Sequence, residues 1–192
     1  MKLVVAIGLM FLFPFTKVLG QGILPKKILW AQIDASNLIN VKSKTKVALK
    51  KNTAFVFISP ECPLCRNYML VLNDLCKKYP QVNIIGIVPG KSYTLEDIKQ
   101  FAENYNAGFD IYLDKDKTFT KILNAKVTPE TVVIDQNGNV RYRGLIDNWQ
   151  AKLGVKRKVI TDHYLDDALH GINTETYKYV ETTPLGCLIN DL

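Results

Sequence analysis

Histidine is nearly absent from this chain: His163 and His170 are the only two in 192 residues. Cysteine is scarce too, with four. A structural zinc site takes about four Cys or His ligands, often as two Cys-x-x-Cys pairs or one pair with two histidines. Here there is one pair, and both histidines are distant from it in sequence, so no metal site is expected. Four cysteines are too few for a disulfide scaffold in a chain of this length. No glycine-rich loop suits a dinucleotide or a phosphate, so no organic cofactor is expected. There is no internal repeat, no low-complexity segment and no nucleic-acid recognition motif, and nucleic acid is not an expected partner. The formal net charge of +7 reads as a solvated, lysine-rich surface able to steer acidic partners.

With 47% hydrophobic and 22% charged residues, the chain suits one globular domain with a sizeable core. Residues 1–20 stand apart. Met1 and Lys2 precede an apolar run over residues 3–15, and Val18, Leu19 and Gly20 lead to Gln21. This pattern predicts a secretory signal peptide cleaved after Gly20. The run is too short for a membrane span, and no cysteine lies near the cleavage point to carry a lipid. Removing residues 1–20 takes away Lys2 and Lys17 and no acid, which leaves +5. The mature protein is therefore expected in the periplasm or outside the cell, where disulfides persist. The expected domain covers residues 21–171, with its core from about 45 to 171. Residues 172–192 form a tail that carries Cys187.

The chemistry concentrates in Phe55-Val-Phe-Ile-Ser-Pro-Glu-Cys-Pro-Leu-Cys65. An apolar strand over 53–58 ends at Ser59-Pro60. Cys62 and Cys65 follow, and a helix is predicted from about 63 to 79. Pro63 suits the first helical turn, because its missing N–H would be unpaired there anyway. Leu64, Tyr68, Met69, Leu72, Leu75 and Cys76 form one apolar stripe. A thiol at a helix N-terminus meets unpaired N–H groups and the positive end of the helix dipole. Both favour thiolate, the reactive form. Cys62 is accordingly expected as the exposed, attacking sulfur and Cys65 as the buried, resolving one. A purely structural Cys62–Cys65 disulfide would close too small a loop to stabilise much by chain entropy.

Residues 82–88 read as a buried parallel strand. Thr94-Leu-Glu-Asp97 reads as a helix N-cap, and residues 109–113 as another strand. Asp116 is expected to cap a short helix containing Phe119, Ile122 and Leu123. Residues 131–135 and 140–143 form a hairpin across an Asn-Gly turn. Thr161 is expected to cap a last helix over about 162–170. Residues 28–33 and 47–49 read as short strands. Cys76 reads as a buried structural thiol. A free Cys187 would be vulnerable in an oxidising compartment. It is expected to pair with Cys76, to resolve Cys62 or to link two chains, in that order.

These motifs resemble the thioredoxin-like superfamily, in its exported redoxin branch of alkyl hydroperoxide reductase and thiol-specific antioxidant proteins. The resemblance spans roughly residues 45–170. It rests on Cys62-Pro63-Leu64-Cys65, on Thr128-Pro129 and on the hairpin with its following helix. It implies an α/β fold in which a central mixed β-sheet is flanked by helices on both faces. It also implies a cis Pro129 which, with Thr128, shapes a groove where a partner peptide adds as a strand. Arg141-Tyr-Arg-Gly-Leu-Ile-Asp147 and Gly186-Cys187-Leu188-Ile189 resemble a peroxiredoxin-like subgroup. Two departures stand out. Glu61 occupies the position where thioredoxins usually have Trp, and a carboxylate there opposes thiolate formation or accepts a proton. Ser59 fits the hydroxyl position of the peroxidase motif, but Phe55 replaces its proline.

The leading expectation is thiol–disulfide exchange with protein thiols and disulfides, with electrons from an upstream donor such as a membrane thiol carrier. In the alternative, a thiol peroxidase, Cys62 reacts with hydroperoxide and Cys65 or Cys187 resolves it. Ser59 would then bond the peroxide, and Arg141 or Arg143 would stabilise the thiolate. A remote third reading is a copper-binding chaperone that uses His163.

Overall fold

The structure is a computed structural model describing residues 27–28, 30–34, 36–45, 52–174 and 177–190. The expected signal peptide and the strand at 47–49 lie outside the described residues. In chain order the elements are α1 (Trp30–Asp34), β1 (Ile39–Asn40), β2 (Thr53–Phe57), α2 (Pro63–Lys78), β3 (Asn83–Pro89) and α3 (Leu95–Asn104). Next come β4 (Asp110–Asp114), α4 (Thr118–Leu123), β5 (Val127–Thr128), β6 (Glu130–Ile134) and β7 (Val140–Gly144). The last are β8 (Gln150–Lys152), β9 (Val155–Lys156), α5 (Tyr164–Gly171), β10 (Val180–Glu181) and β11 (Cys187–Leu188). Among the described residues no helix is long and apolar enough to cross a membrane.

A seven-stranded sheet runs in the order β1-β4-β3-β2-β6-β7-β10. β2, β3 and β4 are mutually parallel, and β6 runs antiparallel to β2. Side chains alternate across a strand, so β2 serves both faces. Ala54 and Val56, with Ile58 just beyond, join the cluster holding Met69, Leu72, Ile98, Phe101, Leu165 and Leu169 of α2, α3 and α5. Phe55 and Phe57 point the other way, onto Ile33 of α1 and Phe119 and Leu123 of α4. Phe119 meets Phe55 edge-on, with ring centroids 4.8 Å apart, and stacks on Phe57 at 6.2 Å. Such pairs add about 0.5–1.5 kcal/mol beyond area burial. The mixed sheet with helices on both faces is the expected α/β, thioredoxin-like arrangement.

Local signals produced several elements. Thr94 and Asp97 form a reciprocal capping box at α3. The Asn-Gly turn closes through Gly138 N–H to the Asp135 carbonyl at 2.9 Å. Other expectations need correction. Residues 30–34 form α1 instead of a strand, because Ile33 packs as one buried helical residue beneath the sheet. Asp116 does not cap α4. The buried Asp114 carboxylate accepts the N–H groups of Phe119 (3.3 Å) and Thr120 (2.7 Å) instead. Thr161 does not cap α5 either: its hydroxyl engages Asn148 and Asp162, and α5 starts after His163. Within residues 172–192, β10 pairs in parallel with β7.

Candidate active site

Strand β2 delivers the chain to Ser59, and Cys62 is the N-cap residue of α2, with Pro63 in its first turn. The Cys62 N–H bonds the Ser59 carbonyl at 3.1 Å, which closes the turn. Cys65 points inward and is fully buried. The Ser59 N–H donates to its sulfur at 3.4 Å.

Across from the cysteines the Thr128–Pro129 peptide bond is cis, as the resemblance implied. The Thr128 carbonyl accepts from the Cys62 thiol at 3.2 Å. A residue not singled out in the sequence holds this segment: Glu130, 2% exposed. Its carboxylate accepts the N–H groups of Lys126 (2.7 Å) and Val127 (3.3 Å) and pairs with Arg143 at 3.0 Å. Its adjacency to Pro129 was the available signal.

The acidity pattern follows from these contacts. The Cys62 thiol is lowered from an ordinary 9.0 to about 4. The largest cause is a hydrogen bond from Cys65. Burial opposes it, and the Cys187 thiol and the N–H groups of Cys65 and Leu64 add to it. Those N–H groups belong to the first turn of α2, as the helix N-terminus argument requires. Cys65 is pushed well above the ordinary value by burial, by its bond to Cys62 and by the Cys62 charge.

The expected exposure of Cys62 does not hold: it is 2% exposed. The chain's own tail covers it. β11 pairs antiparallel with β5, with Cys187 opposite Thr128, and the Cys187 thiol donates to the Cys62 sulfur at 3.0 Å. Cys187 therefore meets Cys62 and not Cys76, its first expected partner.

Ser59, Glu61, Thr128 and Cys187 share one cleft of about 730 Å³. Glu61 is exposed on its rim. The Ser59 hydroxyl is bonded to the Tyr93 hydroxyl at 2.9 Å. Neither arginine of the peroxidase reading reaches the thiolate. Arg141 engages Asp135 and the carbonyls of Thr174 and Tyr177. Arg143 engages Glu130 and the Leu123 carbonyl. Phe55, in the proline position of the peroxidase motif, is core. His163 lines a different cleft, with Asp74, Lys78 and Asp166. Among the described residues no cluster of three or more His, Cys, Asp or Glu side chains suits a metal ion.

The AhpC/TSA family pattern matches residues 33–143, more than half of the chain. The chain belongs to the AhpC/TSA family. No curated protein matches it. Solved structures share the fold. An uncharacterized conserved protein from Geobacillus kaustophilus is 23% identical, with a TM-score of 0.72 over 88% of this chain and 92% of that one. A hypothetical protein from Sinorhizobium meliloti is 19% identical, with a TM-score of 0.66 over 88% and 94%. A secreted Mycobacterium tuberculosis disulfide oxidoreductase homologous to E. coli DsbE is 16% identical, with a TM-score of 0.56 over 73% and 98%. As in the sequence reading, this AhpC/TSA chain carries its cysteine pair at the start of the helix that follows the first central strand, Cys62 as N-cap and Cys65 in the first turn.

Proposed function

We propose that this protein is an exported thiol–disulfide oxidoreductase acting on protein thiols and disulfides. Cys62 is the nucleophile and Cys65 the resolving thiol. One observation carries the reading: Cys62 caps the N-terminus of α2 with its thiol 3.2 Å from the Thr128 carbonyl and with a second, buried thiol, Cys65, in the helix's first turn.

The Cys62 thiolate attacks a substrate disulfide and expels one substrate thiolate, leaving a mixed disulfide. Cys65 then attacks the Cys62 sulfur, releases the second substrate thiolate and loses its own proton. Two of the three effects that hold Cys65 protonated, its bond to Cys62 and the Cys62 charge, vanish once Cys62 is in a mixed disulfide. The resolving thiol is thus released for attack only when it is needed. The reverse sequence oxidises a substrate dithiol. Thr128 and Pro129 form the strand edge for a substrate peptide, and Ser59 and Glu61 line the approach. Residues 1–20 serve as a signal peptide, residues 21–171 as the catalytic domain and 172–192 as its tail. Periplasmic or extracellular location fits the secreted Mycobacterium relative. The upstream electron donor is a thiol carrier, and a membrane-bound one suits an exported protein.

The test is turnover of a protein disulfide by mature chain, set beside reduction of hydrogen peroxide. Cys62→Ser is expected to abolish disulfide turnover, and Cys65→Ser to accumulate mixed disulfides. Full turnover by Cys62→Ser overturns the assignment. Faster turnover of peroxide than of disulfide moves it to the peroxidase.

A further inference from the structure

The segment most in need of explanation is the tail, which sits where a substrate peptide would bind. Residues 180–190 are held along their length. β10 adds to β7, and the Thr182 hydroxyl bonds the Leu145 N–H and the Tyr142 hydroxyl, both at 2.8 Å. Gly144, at φ +130, leaves the room for this passage, since a Cβ there would lie 2.1 Å from the Thr182 hydroxyl. Farther on, the Ile189 N–H bonds the Lys126 carbonyl at 2.9 Å. Lys117 donates to the Asn190 carbonyl at 2.5 Å.

Between these anchors lies a close approach. A Cβ on Gly186 would stand 2.1 Å from the Thr128 carbonyl oxygen. That oxygen is backbone, so only glycine lets the tail approach this near. Immediately after it, Cys187 takes the register opposite Thr128, and its sulfur touches that of Cys62. Gly186-Cys187 is thus a steric and chemical fit to the cis-proline edge.

We infer that residues 185–190 are a tethered substrate strand and that Cys187 is a third redox cysteine, exchanging with Cys62. This deepens the proposed function and rests on Cys62–Cys65 being a redox pair. In the oxidised protein the Cys187 thiolate attacks the Cys62 sulfur. The Cys62–Cys187 bond forms and the Cys62–Cys65 bond breaks. Cys65 departs with the electron pair and takes up a proton, with no net oxidation. An external thiolate next attacks the Cys187 sulfur, and Cys62 leaves as thiolate. A second external thiolate attacks the mixed disulfide and frees Cys187, so two external thiols end as one disulfide.

Access favours the relay, and leaving-group chemistry favours its second step, the external attack on the Cys187 sulfur that expels Cys62. Cys62 is buried whereas Cys187 is exposed, so the relay carries the buried disulfide's oxidising power to the surface. The better leaving thiol is the more acidic one, and that is Cys62. Tethering adds an effective concentration on the order of millimolar for a short flexible link, so glutathione at lower concentration competes poorly.

The experiment equilibrates mature chain in glutathione redox buffer, quenches by alkylation and maps disulfides by mass spectrometry. Wild type is expected to show Cys62–Cys65. Cys65→Ser is expected to show Cys62–Cys187 in preference to glutathione on Cys62. Adding Gly186→Ala to Cys65→Ser keeps both thiols but unseats the strand. It is expected to cut Cys62–Cys187 relative to Cys62–glutathione at least about tenfold, the loss of effective concentration. Glutathione on Cys62 with Cys187 free in Cys65→Ser, while wild type forms Cys62–Cys65, overturns the tail's role alone. Equal Cys62–Cys187 with and without Gly186→Ala overturns the seated-strand geometry. Absence of Cys62–Cys65 in wild type overturns the proposed function itself. Cys65→Ala, checked by circular dichroism, replaces Cys65→Ser should the latter not fold.

Discussion

The two ends of α2 each carry a cysteine, and the two thiols have opposite acidities. Cys62, at the N-terminus, is buried, yet it is lowered to about 4. Cys76, near the C-terminus, is only half-buried, yet burial raises it to about 11. Burial disfavours the charged form at both and so does not explain a depressed Cys62. What separates them is the supply of donors. Cys62 receives the Cys65 and Cys187 thiols and two backbone N–H groups. At Cys76 only burial acts, and α2 residues this far along use their N–H groups within the helix. Thiol acidity here is set by hydrogen bonds aimed at the sulfur.

The comparison breaks most visibly in turnover. Cys62→Ser is expected to lose disulfide exchange to the level of a thiol-free control, while Cys76→Ser retains the wild-type rate in the same assay. A large loss on Cys76→Ser would make the second end of the helix part of the chemistry.

The next effect is on acidity. Cys65→Ala removes the largest stabiliser of the Cys62 thiolate, so its pKa should climb from about 4 back toward 9.0. Each unit of climb costs about tenfold in thiolate below the new value, or about 1.4 kcal/mol. The pH dependence of Cys62 alkylation, followed by mass spectrometry, measures it. An unchanged profile would assign the acidity to the helix N-terminus alone. Cys187→Ala should raise the pKa in the same direction but by less, because its hydrogen bond ranks below that of Cys65.

Stability of the reduced protein distinguishes the two ends by sign. The Cys62 pKa is depressed on folding. Its contribution is present above 9.0 and is lost as pH falls toward about 4. The Cys76 and Cys187 pKa values are raised on folding. Their contributions are present below 9.0 and are lost as pH rises toward about 11. Denaturant unfolding across pH is expected to show both limbs, with a slope of at most about 1.4 kcal/mol per pH unit per group. Cys62→Ser should flatten the acid limb and, by removing the charge and hydrogen bond that raise Cys65 and Cys187, also shallow the alkaline limb, whereas Cys76→Ser should shallow only the alkaline one.

Another change tests the segment that carries Thr128. Arg143→Ala leaves Glu130 as a buried carboxylate without its cation and should destabilise the fold by about 3–5 kcal/mol. It should leave the acidity of Cys62 where it is, since Arg143 bonds Glu130 and the Leu123 carbonyl and not the sulfur. Thermal unfolding and the alkylation profile together check it. A shifted profile would restore the arginine to the site.

Much of this protein is written locally. The apolar runs of β2 and β3, Pro63 at the start of α2, the Thr94–Asp97 capping box and the Asn-Gly turn each concern residues a few positions apart. Strand alternation, capping and turn chemistry act over that range, so sequence alone determined them, and with them the Cys62–Cys65 dithiol at a helix N-terminus. The tertiary structure decided the rest. It covered Cys62, turned Arg141 and Arg143 away from the sulfur and made residues 30–34 a helix. Above all it brought Cys187 onto Cys62 across a separation of 125 residues. Nothing local marks such a contact. It exists because β10 and β11 find unpaired strand edges at β7 and β5, and because Gly144 and Gly186 leave the tail room to reach them.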